Sequence, residues 1–206
     1  MPQQHLLLSD DHAMTTESPQ QDLTEITLSS ETIAEGGMLL VKRDQVRVPS
    51  GATSQREYVI HPGAVVVIPV LDNGNLLLER QFRYPLHQVF IEFPAGKIDA
   101  GEPHFETGKR ELLEETGYSA SEWIYLGMQH PCIGYSNEVI YIYLARGLVA
   151  GQHQRDEDEA MHVFEASLAQ CLQMVQNGEM TDGKSIVALF HAEKFLNGSW
   201  PGKRMP

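Results

Sequence analysis

The chain has 206 residues, with 15 Lys+Arg against 28 Asp+Glu, a formal net charge of −13 at pH 7. That length suits one large domain or a domain with an appendage, and 42% apolar with 21% charged residues excludes global disorder. An acidic balance without a Lys/Arg run argues against a nucleic-acid partner, two cysteines build no disulfide framework and point to a reducing cytoplasm, and no apolar run approaches the roughly 18 residues that span a membrane.

The opening Met1 to Leu8 has no basic region before its three leucines and does not read as a signal peptide. Residues 1–22 are polar and aperiodic and are expected to form a mobile tail. Over residues 23–61 the alternating segments Ile26 to Ile33, Met38 to Val48 and Arg56 to Ile60, broken by Gly36-Gly37 and Pro49-Ser50-Gly51, predict a small N-terminal antiparallel meander. Ala64 to Leu71 is a continuous apolar run suited to a strand buried on both faces. Asp72-Asn73-Gly74-Asn75 then supplies the residues of a tight turn, so a hairpin with Leu76 to Arg83 is expected.

Val89 to Phe93, Trp123 to Met128, Val139 to Ala145 and Met161 to Phe164 read as further strands, and Ser167 to Asn177 and Asp182 to Leu196 as helices with apolar residues at helical spacing. Strands and helices interleave without a repeating βαβ rhythm. The expected fold is α/β (α+β), a mixed β-sheet sandwiched between helices over residues 62–198, followed by a C-terminal tail at 199–206. Cys132 and Cys171 are expected to be small buried apolar side chains.

The densest signal is Gly96 to Tyr118, GKIDAGEPHFETGKRELLEETGY. Pro103 suits the first turn of a helix and Gly117 its left-handed end. At 100° per residue Glu111, Glu114 and Glu115 share one face, while Phe105, Gly108 and Leu112 share another that can pack on a sheet. Hard oxygen donors in such a stripe suit Mg²⁺, with Mn²⁺ as an alternative, because substrate phosphates and water complete the octahedral shell. A solvated helix face would also carry Glu at these spacings, but it usually balances them with Lys four residues on, whereas here Lys109 and Arg110 precede the cluster. A second acidic run, Asp156 to Glu159, reads by itself as a solvated loop.

Gly96, Glu102, Arg110-Glu111-Leu112, Glu114-Glu115 and Gly117-Tyr118 resemble the Nudix box at every defined position. The flanking Glu79 to Tyr84, Ile91 to Gly96, Gly134 to Glu138, Asp156 to Glu159 and Gly178 to Asp182 resemble the ADP-ribose pyrophosphatase branch of that superfamily. The resemblance spans roughly residues 23–196. It implies a Nudix-type fold and Mg²⁺-dependent hydrolysis of a nucleoside diphosphate sugar, ADP-ribose first, to AMP and ribose 5-phosphate.

The same resemblance places divalent ions on Glu111 and Glu115, helped by Glu114 and the carbonyl of Ala95, with Glu159 as a further ligand and Glu157 as the base, two roles that could be exchanged. Gly96, Glu102 and Gly117 become structural box residues, and Arg110 restrains the carboxylates. Arg56, Arg83 and Glu92 fall where the branch binds substrate. The branch commonly exchanges N-terminal domains in a homodimer, and the meander at 23–61 has too few apolar residues for a core of its own.

Two departures bear on the substrate. Cys132-Ile133-Gly134 stands where many ADP-ribose enzymes carry Ser-Pro-Gly, and no Phe, Tyr or Trp precedes Tyr58 to stack a base. Another nucleoside diphosphate derivative, such as a GDP-sugar, is the alternative within enzymes. A Nudix-fold sensor that binds without cleaving is the alternative outside them, although such sensors usually lose box carboxylates that this chain retains.

Overall fold

A computed structural model describes residues 22–151 and 160–206. They divide into two compact units. One holds the described residues up to Glu31 together with Arg43–Arg56, and the other holds Thr32–Lys42 together with Glu57 onward. Ile26–Glu35 (β1), Leu40–Arg47 (β2) and Thr53–Ile60 (β3) pair in that order as a three-stranded sheet, the meander expected from their alternation.

In the second unit Ala64–Pro69 (β4) is followed by Leu76–Arg83 (β5), Gln88–Glu92 (β6), Ala95–Lys97 (β7) and the helix His104–Thr116 (α1). Tyr118–Gln129 (β8), Ile140–Ala150 (β9), Met161–Ala166 (β10), Leu168–Gln176 (α2), Gly183–Leu196 (α3) and Lys203–Arg204 (β11) complete it. Five strands form a mixed sheet in the order β11-β8-β9-β4-β7, in which β4 runs parallel to β9. A second, antiparallel sheet has the order β10-β5-β6.

All six residues of β4 are buried, as its unbroken apolar run requires. Its side chains alternate between two cores. Val65 and Val67 pack with Leu112 of α1, Trp123 and Tyr143, whereas Val66 and Ile68 pack with Leu76, Leu78, Ile142, Leu144 and, from α3, Ala188 and Leu189. The mixed sheet therefore lies between α1 on one face and the second sheet with α3 on the other.

This arrangement corrects the expected hairpin. The turn over Asp72 to Asn75 forms, with Leu71 N–H donating to the Asn75 carbonyl at 2.9 Å, but beyond an isolated Val70–Leu76 bridge the strands part into different sheets. β9 and β7 occupy both edges of β4, and β10 and β6 occupy both edges of β5, so neither strand keeps an edge for the other.

Helix α1 ends as its sequence predicts, with Gly117 at φ 77 and its N–H on the Leu113 carbonyl. Pro103 sits one place earlier than expected, as the extended residue before the first turn. β8 and β9 run past their apolar centres because Tyr118, Ser119 and Ala120 pair with Ala150, Val149 and Leu148. The C-terminal residues also pair, Lys203 opposite Tyr125 and Arg204 opposite Ile124, where a tail was expected. Cys171 is buried as anticipated, and burial pushes its thiol up to about 11; Cys132 is only partly covered. Among the described residues no helix is long and apolar enough to cross a membrane.

Candidate active site

Helix α1 and the short strand β7 build the site together. Gly108 and Leu112 turn inward, and a side-chain carbon at Gly108 would stand 3.2 Å from Val65 Cγ1. The helix therefore lies close to the sheet, and its other face brings Glu111 and Glu115 over β7. Both carboxylates are largely withdrawn from solvent, at 8% and 4% residue exposure. Glu115 Oε2 accepts the Ala95 N–H at 2.9 Å. Glu111 rests on Gly96 so closely that a methyl group there would overlap its carboxylate, which is the physical reason for glycine at this point of the loop.

Arg110 binds the acidic face into one network. Its Nε and Nη2 donate to Glu102 Oε1 and Oε2 at 3.1 and 3.0 Å, a bidentate pair. Nη1 donates to Glu111 Oε1 at 2.7 Å and to Glu114 Oε2 at 3.0 Å, and Nη2 reaches the Lys97 carbonyl at 3.1 Å. Those five bonds match the five N–H groups of a guanidinium. Glu102 also accepts from Thr107 Oγ1 at 2.7 Å, so its carboxylate is committed to neighbours within the fold. The Thr107 contact had no signal in the sequence beyond a hydroxyl about one helical turn before Arg110.

The Arg110 guanidinium, with help from Thr107 and the Asp99 N–H, holds the Glu102 carboxyl at about 2. Because this folded-state value lies below the ordinary 4.5, ionised Glu102 contributes stability that is fully present above 4.5 and is lost as pH falls toward 2. Thermal unfolding followed from pH 6 to 2 should accordingly show a shallower acid loss in Glu102→Gln than in the unchanged protein. Parallel curves would remove Glu102 from the acid response.

Arg83 and Glu92, expected near the substrate, meet each other. Arg83 Nε and Nη2 donate to Glu92 Oε1 and Oε2 at 2.8 and 2.6 Å, and Lys184 Nζ also pairs with Glu92 Oε2. Burial opposes ionisation of Glu92, which is 1% exposed, but the two cations outweigh it and keep the carboxyl below its ordinary value. Lys184 carried no signal in the sequence, since a lysine in the first turn of a helix is unremarkable until its partner on another strand is known. Arg56 belongs to the other unit, where Glu25 holds its guanidinium at 2.9 and 2.5 Å. Glu157 and Glu159 lie outside the described residues.

Among the described residues no three His, Cys, Asp or Glu side chains are gathered for a metal ion, consistent with Arg110 occupying Glu111 and Glu114. The donor set nevertheless fits a hard divalent cation. Glu111 and Glu115 lie against one strand, Glu114 flanks them, and an octahedral ion needs only one or two carboxylates besides phosphate and water.

The family model described as NUDIX domain matches residues 60–187. The chain belongs to the Nudix hydrolase family. This Nudix chain is 37% identical over 171 residues to the ADP-ribose pyrophosphatase of Bacillus subtilis (strain 168), covering 82% of this chain and 92% of the relative. It is also 37% identical to the ADP-ribose pyrophosphatase of Mycobacterium tuberculosis (strain ATCC 25618 / H37Rv), over 84% of each chain. A crystal structure of an ADP compounds hydrolase superposes with a TM-score of 0.78 at 25% identity, covering 86% of this Nudix chain and 97% of that one.

Proposed function

We propose that this Nudix chain hydrolyses the pyrophosphate bond of a nucleoside diphosphate sugar, ADP-ribose to AMP and ribose 5-phosphate, with Mg²⁺ as the working ion. The observation that carries this reading is the carboxylate face of α1, tied to β7 by Glu115 on the Ala95 N–H and by Arg110 on the Lys97 carbonyl, in a chain similar over most of its length to two ADP-ribose pyrophosphatases.

Glu111 and Glu115, with Glu114 and the Ala95 carbonyl, would hold the ion, and Glu159 would add a ligand. A divalent ion there supplies charge neutralisation at the phosphoryl oxygens and a more acidic attacking water. Arg110 keeps Glu111 and Glu114 pointed together. Water attacks one phosphorus as the bridging P–O bond on the far side breaks, the departing phosphate takes the bonding pair, and the water's proton passes to Glu157.

The decisive experiment is hydrolysis of ADP-ribose with Mg²⁺ in ¹⁸O-labelled water. Turnover with label in a single product supports the reading, and the labelled product identifies the attacked phosphorus. A preference of about tenfold or more for a GDP-sugar, roughly 1.4 kcal/mol in transition-state binding, would overturn the choice of ADP-ribose.

Glu157→Gln is expected to lower kcat strongly with little change in KM, because a base matters mainly in the transition state. Wild-type kcat in both Glu157→Gln and Glu159→Gln would move the base elsewhere, whereas a defect in Glu159→Gln alone would exchange the two roles.

The working form we propose is a cytoplasmic homodimer in which Arg56 of one protomer serves the site of its partner. Two cysteines without a disulfide framework and a meander poor in apolar residues support it. Light scattering that showed a fully active monomer would overturn the dimer.

A further inference from the structure

Beside Glu92 lies a cavity of about 260 Å³ bordered by Arg83, Phe90, Glu92, Thr181, Asp182 and Lys184. Pockets that enclose a whole ligand run from about 300 to 1,000 Å³, so this one has room for part of a nucleotide sugar. Its polar wall is an alternating chain of charges. Glu92 binds Arg83 through both oxygens and also Lys184, and Lys184 Nζ donates to Asp182 Oδ2 at 3.0 Å. Asp182 is fixed in turn as the cap of α3, its Oδ2 accepting the Ser185 N–H at 3.0 Å.

Charge decides the ligand class. The two cations at the wall face two carboxylates, one of them buried, so a phosphate entering here meets no net positive charge and must compete with oxygens already in place. A pair of hydroxyls has the opposite fit. Each O–H can donate to a carboxylate and accept from an ammonium or guanidinium. Among described residues the free valences match: Asp182 Oδ1 and Arg83 Nη1 have no hydrogen-bond partner, and Lys184 uses two of its three N–H donors. Phe90, half-buried at one side, offers an apolar surface to a sugar ring.

We propose that this cavity binds the vicinal hydroxyls of a ribosyl group, with Lys184 and Asp182 as its recognition pair. The proposal deepens the function given above and rests on it. The hydroxyls can come from the nucleoside ribose or from the distal ribose, and the two products separate these sources.

The test is calorimetric titration of AMP, ribose 5-phosphate and inorganic phosphate, with Mg²⁺ present, into the unchanged protein, Lys184→Met and Asp182→Asn. Asparagine caps a helix as well as aspartate, so the second variant reads the cavity even where loss of the Glu92 counter-charge unfolds the first. The expected result is a dissociation constant weakened about tenfold in each folded variant for AMP, for ribose 5-phosphate or for both, with inorganic phosphate within twofold of its original value. The ligand that weakens identifies the ribose bound. Equal weakening for inorganic phosphate, no change for either ribosyl ligand, or no binding of either to the unchanged protein would overturn the proposal. Binding is read without turnover, so failure of the unchanged protein to hydrolyse ADP-ribose counts against the activity alone.

Discussion

Glu115→Gln is expected to lower kcat by about 10²-fold or more, several kcal/mol of transition-state stabilisation, while the protein unfolds at nearly its original temperature. The separation follows from what the carboxylate does in the fold. The carboxylate accepts the Ala95 N–H, and a glutamine oxygen can accept that bond in the same volume. The substitution removes a negative charge from a residue 4% exposed while keeping its size. Steady-state kinetics with ADP-ribose, paired with a thermal melt, checks both halves. Near-normal kcat would contradict the assignment of this face to the ion, and a collapsed melt would make Glu115 a stability residue first.

Gly96→Ala should be comparably severe by a different route. The added methyl overlaps the Glu111 carboxylate, so the strand or the carboxylate must move. Overpacking of this kind costs about 1–3 kcal/mol of stability, and a misplacement of about 1 Å at a reacting centre costs on the order of 10²-fold in rate. Both losses are expected together, and raised Mg²⁺ should not restore the rate, because the defect is in where the ligand stands. An alanine variant with wild-type kcat would show that β7 yields without disturbing Glu111.

The sequence held α1 almost to the residue, because Pro103, Gly117 and the 3.6-residue spacing of Phe105, Gly108 and Leu112 all act within one helix. It also held the burial of β4, since six apolar residues in succession leave no solvent face. The hairpin failed because Asp72 to Asn75 encode a turn and nothing more: which strand lies beside β4 depends on Ile140 to Ala145, seventy residues away. The start of β8 and the far end of β9 were hidden for the same reason, their order coming from each other. The carboxylate cluster was legible from spacing, but the Arg110 bond to the Lys97 carbonyl and the Lys184–Glu92 pair needed the fold.

Arg110 with its five donors engaged has a further consequence for how a cation enters. Glu102, Glu111, Glu114 and Glu115 bring four negative charges against one guanidinium, and two of the four share a single nitrogen of it. The arginine is thus a resident counter-ion that keeps the acids from repelling one another while no metal is bound. For the ion position proposed above, loading would be a competition between counter-ions rather than the filling of an anionic hole, because Arg110 already engages one oxygen each of Glu111 and Glu114. The ion's affinity would then be weaker than a count of carboxylates suggests. Lysine at this position, a point charge with three donors, could not hold the same four oxygens in reserve.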